Sequence, residues 1–92
     1  MRKAVKIFTD KMETKLKEKD SIYGEQGWLD SDCSIGYLFH RLKEEVTKLD
    51  NKVKKDKLKQ VDKDTVNIAN FAMMISDKVR IKGEENGKAS EV

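Results

Sequence analysis

Leu38-Phe39-His40-Arg41-Leu42-Lys43-Glu44-Glu45-Val46-Thr47-Lys48-Leu49 is the stretch from which the fold of this chain can be read. Leu38, Leu42, Glu45 and Leu49 recur in steps of four, three and four, the repeat of one helix face, so a carboxylate stands in the row that should be buried. An unpaired charge there is costly, so Glu45 calls for a partner, a metal or a shifted pKa. Further along, Asp64-x-x-Asn67-x-x-Asn70 runs into Phe71 and Met74 on a second helical pattern. Two helices joined through their apolar rows would point oxygen-bearing side chains into a shared, partly dry site.

Outward from this centre the helix pattern extends over Ile35, Leu38, Leu42, Val46, Leu49 and Val53, with Ser34 or Asp32 as N-cap and the polar residues 51–57 as its end. A further helix carries Val66, Ile68, Phe71, Met74, Ile75 and Val79, with Gly83 as its natural stop. At the N-terminal side Val5, Phe8, Met12 and Leu16 mark an amphipathic helix that stops near Asp20. Residues 20–34 read as a loop, although Ile22, Tyr23, Trp28 and Leu29 are too apolar for a passive linker. The spacing therefore predicts helices over residues 3–19, 34–54 and 59–82, the second and third antiparallel, in one domain spanning 1–83 with a disordered tail at 84–92.

Composition agrees with an all-α class. Of the 92 residues 40% are charged and 37% hydrophobic, and none is proline, a mixture that suits a small antiparallel helical bundle and offers no hairpin signal. A chain this short buries only about 60 to 65% of its unfolded surface, so three such helices would leave Phe8, Leu38, Phe71 and Met74 too exposed in a monomer. A homodimer or homotetramer is expected to complete the bundle. The net charge of +3 is spread out, and the lysines of residues 52–63 are too weak a cluster to mark a nucleic-acid surface. One cysteine, Cys33, cannot form an internal disulfide, and with a single histidine no zinc pattern exists. The start of the chain has no apolar targeting region and no run is long enough to span a membrane, so a soluble, cytoplasmic protein is expected.

The residues Phe8-x-x-x-Met12-Glu13-x-Lys15-Leu16, Gly27-Trp28, Leu38-x-x-Arg41-Leu42-x-Glu44-Glu45-Val46-x-x-Leu49 and Asn67-Ile68-Ala69-Asn70-Phe71-Ala72-Met73-Met74-Ile75-Ser76-Asp77 together resemble the short, single-domain MazG-like proteins, of the all-α nucleoside triphosphate pyrophosphatase group. The resemblance covers residues 5–79, and residues 69–77 are its most specific part. It implies an oligomeric helical bundle that hydrolyses a nucleoside triphosphate to the monophosphate and pyrophosphate with Mg2+, or Mn2+ in its place. The family's metal set is written ExxE followed by ExxD. Glu45 matches the first acid, Lys48 stands where the second should be, Asp64 stands at the third and Asn67 at the fourth. The resemblance thus makes Glu45, Asp64 and Asn67 the metal-ligand candidates, Glu44 and Glu45 the catalytic ones, and Lys48, Asn70 and Trp28 the substrate-binding ones.

Magnesium takes hard oxygen ligands in near-octahedral geometry and would bridge phosphate oxygens while acidifying an attacking water. Aspartate keeps the charge of glutamate with a shorter reach, and asparagine still offers a carbonyl oxygen. Lysine offers none: Lys48 must swing away from a bound cation or grip phosphate as a fixed charge. Glu44 could substitute, but it sits about 100° from Glu45 around the helix.

Plainer readings stand beside these. Glu45 and Lys48 could form an ordinary exposed i,i+3 pair, and Asp64 could serve the dipole of a first helical turn. Asn67 and Asn70, poor helix formers among apolar neighbours, fit buried hydrogen-bonding roles. Trp28 fits a lid on the core as well as a base-stacking platform. His40 faces away from the apolar row, and Met73 and Met74 fit core or interface filler. The rival to the hydrolase is therefore a catalytically degenerate bundle that binds nucleotides or proteins, and Lys48 separates the two. An ammonium inside the acidic cluster favours the binding module; one pointing to solvent favours the enzyme.

Overall fold

The chain is described by a computed structural model over residues 1–85, which form three α-helices and no strand. They are α1 (Lys3–Tyr23), α2 (Ile35–Lys54) and α3 (Leu58–Glu85), with a single 3-10 turn at Gly27–Leu29 between the first two. The all-α bundle expected from composition and periodicity is the fold observed. Among the described residues no helix is long and apolar enough to cross a membrane.

Each helix boundary has a local cause. The first helix runs a turn past Asp20, because Gly24 is the residue able to take φ 78°, and its N–H closes the helix on the Asp20 carbonyl at 2.8 Å. Ser34 caps α2 by accepting the Tyr37 N–H on its Oγ at 3.0 Å. At the other end Asp56, at φ 56°, takes the left-handed position; its N–H returns to the Val53 carbonyl and that of Lys57 to Lys52, which is a Schellman closure with aspartate where glycine is usual. Gly83 does not stop α3, which continues to Glu85. Arg80 holds that last turn by bonding both Asp77 and Glu84. The expected tail at 84–92 therefore begins inside the helix, and residues 86–92 lie outside the described residues.

Three cross-helix contacts fix α2 and α3 as an antiparallel pair. Arg41 lies over the Phe71 ring at 5.1 Å, Glu45 meets Asn67, and Lys52 meets Asp64, so rising numbers on one helix match falling numbers on the other. The core between them is small. Leu38 and Val66 are the buried hydrophobic residues, while Glu45, Asp64 and Asn70 are buried polar ones. α1 has no buried residue at all and is attached to α3 through Lys11–Asp62 and the Asn70–Met12 bond.

Candidate functional site

The acid-bearing rows foreseen in the sequence do meet at the α2/α3 seam. Glu45 is 3% exposed and Asp64 7%. Such burial of two acids demands compensation, and the chain supplies it from its own side chains. Asn67 Nδ2 donates to Glu45 Oε1 at 3.2 Å, Lys48 Nζ donates to Glu45 Oε2 at 3.2 Å, and Arg41 Nη2 stands 3.7 Å from the same oxygen. Lys52 Nζ lies 3.5 Å from Asp64 Oδ2, at ion-pair distance but without a hydrogen bond, so that oxygen is buried and unbonded.

Lys48 thus keeps a half-exposed side chain while its ammonium bonds the buried Glu45 carboxylate. The exposed i,i+3 pair is right about the partner and wrong about the burial, since the Glu45 side chain is 4% accessible. Asn67 uses its N–H on Glu45 and so presents the wrong end of its amide for a cation beside that carboxylate. Glu44 is on the outer side of α2, half exposed, where it pairs with Arg41 and His40. The hydrogen bond from Arg41 holds the Glu44 carboxyl below its ordinary value, against a smaller opposing effect of burial. His40 is on the surface, as the sequence implied.

The two remaining candidates are elsewhere. Asn70 faces α1: its Nδ2 donates to the Met12 carbonyl at 3.3 Å, and its Oδ1 is buried without a partner. Trp28 is half-buried and donates its indole N–H to Asp77 Oδ2 at 3.0 Å. Lys78 reaches the Trp28 and Asp30 carbonyls at 3.0 and 3.1 Å, so the loop is clasped to α3 by charge-assisted bonds. That contact set makes Trp28 a brace between the loop and α3. Burial pushes the thiol of Cys33 up, with Lys78 opposing and Asp30 adding to the rise, which makes it a poor nucleophile.

Arg41 and Lys52 were not singled out from sequence. Arg41 carried a legible signal, being four residues before Glu45. Lys52 carried none until the helix register was known. Counted together, Arg41, Lys48 and Lys52 face Glu44, Glu45 and Asp64, so cations and carboxylates balance across the cluster. Comparison of the chain with family models, with curated proteins and with solved structures gives no match.

Proposed function

We propose that this chain is a MazG-like helical bundle whose metal site has been rebuilt as an internal ion-pair network, leaving a protein-interaction module that associates with its own copies. The observation that carries this reading is Glu45, buried, with both oxygens engaged by Asn67 and Lys48 and a third group, Arg41, close by. The donor set does not fit a hydrated Mg2+ as it stands. One carboxylate is occupied, the neighbouring amide presents N–H, and three cations already neutralise the acids, so a divalent ion would add uncompensated charge in a half-dry seam. A nucleotide phosphate meets the mirror-image obstacle, because each cation it would use is already held by a carboxylate.

The residues from which oligomerisation was expected do not carry it, because α2 and α3 pack closely enough to bury Leu38 and half-bury Phe71 and Met74, and Phe8 is half-buried too. The self-association half of the reading is supported instead by the thinness of the core. Phe39, Val46, Val53, Leu58 and Val79 all stay about half or more exposed in the single chain, and apolar area of that extent favours burial against a partner. A dimer or tetramer satisfies it.

One observation favours a second reading, the Mg2+- or Mn2+-dependent hydrolysis of a nucleoside triphosphate to monophosphate and pyrophosphate. Asp64 Oδ2 is a buried oxygen without a hydrogen bond, such as a hard cation takes. The deciding experiment is a panel of nucleoside triphosphates with Mg2+ or Mn2+, assayed for pyrophosphate release, beside calorimetry of both ions on the native chain, Lys48→Glu and Lys48→Glu/Asn67→Asp. The expected result is no release and weak or absent metal binding in the native chain. Lys48→Glu should gain more than roughly 1 kcal/mol, about fivefold in Kd, since it removes one cation and adds one acid at a partly dry site. The double variant should gain further. Pyrophosphate release by the native chain would overturn the module reading in favour of the enzyme.

A further inference from the structure

Phe39, Val46 and Val53 repeat every seven residues along α2 and remain 51%, 45% and 58% exposed. At about 100° per residue they lie roughly 90° around the helix from the Leu38/Glu45 row that meets α3. On α3, Val61, Ile68, Ile75 and Val79 lie a similar angle from the Asp64/Asn67/Phe71 row, with Val79 53% exposed and the other three half-buried. Because the helices are antiparallel, these rotations carry both rows to one side of the hairpin. α1 covers the other side, through Asp62 and Asn70. The hairpin therefore has an apolar face with no covering element among the described residues.

We infer that this face is the seat of a second copy of the chain, packed across a two-fold axis that runs perpendicular to the helices between Val46 and Ile68. The inference rests on the reading of the bundle as self-associating, and specifies its face, axis and register. The register argues for it. With Val46 on the axis, each α2 lies antiparallel to its counterpart, and Phe39 falls opposite Val53 of the second copy. With Ile68 on the axis, Val61 falls opposite Ile75, and Leu58 falls one residue short of the position opposite Val79. A single axis satisfies both, because Val46 and Ile68 stand level in the hairpin: Glu45 touches Asn67 and Arg41 lies over Phe71 on one side of that level, and Lys52 meets Asp64 on the other.

Charge selects this axis over the alternative. Lys43 and Asp50 are on the outer flank of the α2 row, three residues before its centre and four after it, so the perpendicular axis brings Lys43 of each copy within about one helical rise, roughly 1.5 Å, of the level of Asp50 of the other. An axis parallel to the helices would instead lay α2 on α3 of the second copy, where Thr65 and Ala72 offer these charges no partner. Each ion is only lightly engaged within the chain, Lys43 over the Phe39 ring at 5.1 Å and Asp50 with exposed Lys54. The face is about 30 Å long and 20 Å wide. Roughly 600 Å2 per copy, about 1,200 Å2 in all, exceeds the approximately 1,000 Å2 of a specific interface.

The test is sedimentation equilibrium of the native chain with Val46→Glu, Lys43→Asp and Lys43→Asp/Asp50→Lys, each checked for native helicity by circular dichroism. The native chain should dimerise at micromolar concentration and Val46→Glu should be monomeric. Lys43→Asp should weaken the dimer about tenfold or more by setting like charges together, and the double reversal should recover most of that. Oxidation of Val46→Cys in a Cys33→Ser background should give a disulfide-linked dimer. A monomeric native chain would overturn both this inference and the self-association it rests on. A dimer that ignores Val46→Glu and the charge reversals would overturn the proposed face alone. A dimer cross-linked by Val46→Cys/Ile68→Cys but not by Val46→Cys alone would overturn the axis, in favour of the parallel one.

Discussion

The α2/α3 hairpin and α1 are held to the same molecule by different means. The hairpin is interlocked: Leu38 is buried at 2% exposure, Arg41 is stacked on Phe71, and the Glu45 cluster ties one helix to the other. α1 buries no residue, and among the described residues its polar ties to α3 are Lys11–Asp62 and the Asn70–Met12 bond. Two amphipathic helices of similar length thus differ in what they contribute to stability. Periodicity creates the option of burial, and the partner surface decides how much of it is realised.

The largest effect that can break this comparison is a cavity on each side. Leu38→Ala should lose about 3 kcal/mol, the ordinary cost of emptying a fully buried leucine site, whereas Leu16→Ala, in a half-buried position, should lose about 1 kcal/mol. Urea titration of both measures the gap, and equal losses would mean that α1 is as much core as the hairpin. Next in size is Asn70→Ala, which removes the bond to the Met12 carbonyl and should cost about 1–2 kcal/mol. Amide exchange should quicken in α1 and hold in α2; acceleration spread evenly would show that the two regions open as one. Asp56→Gly should stabilise the hairpin by about 0.5 kcal/mol, because glycine takes φ 56° without steric cost. A loss would mean that the aspartate side chain matters more to the turn than its backbone angle.

The smallest effect is local and is set by pH. Hydrogen bonds from Trp28 and then Arg80 hold the Asp77 carboxyl below its ordinary value. A depressed carboxyl contributes its stabilisation in full above the unfolded value of about 3.9, and loses it as pH falls through the lower folded value. Trp28 fluorescence should therefore change only below about pH 4, and Asp77→Asn should abolish that transition. A midpoint above this range would remove Asp77 as its cause.

Most of this division can be traced to sequence, residue by residue. The helices, their antiparallel pairing and the inward-facing Glu45 follow from apolar spacing and a short connection, both local properties. Asn70 was legible as a buried hydrogen-bonding residue, though not its direction toward α1, because a side-chain amide at the edge of a stripe can turn to either neighbour. The ammonium of Lys48 was undecidable in principle: a four-carbon stem at one backbone position reaches the carboxylate or the solvent with nearly equal ease. Trp28 with Asp77 and Lys52 with Asp64 are tertiary pairs, visible only after the register exists. Arg41 could have been found, since its spacing from Glu45 is a helical i,i+4 pair.

The three-residue turn at Lys55, Asp56 and Lys57 also sets an order of events. It lets Lys52 find Asp64 across a loop of about a dozen residues, while Met12 must find Asn70 across nearly five times as many. Loop closure alone makes the second search costlier by roughly 1–1.5 kcal/mol. The hairpin should thus form first, on the fast time scale of local helical contacts, with α1 docking afterwards. A nascent hairpin has its outer apolar row complete before the first helix settles on its other side, so the pairing proposed above would let two chains meet while each is still folding.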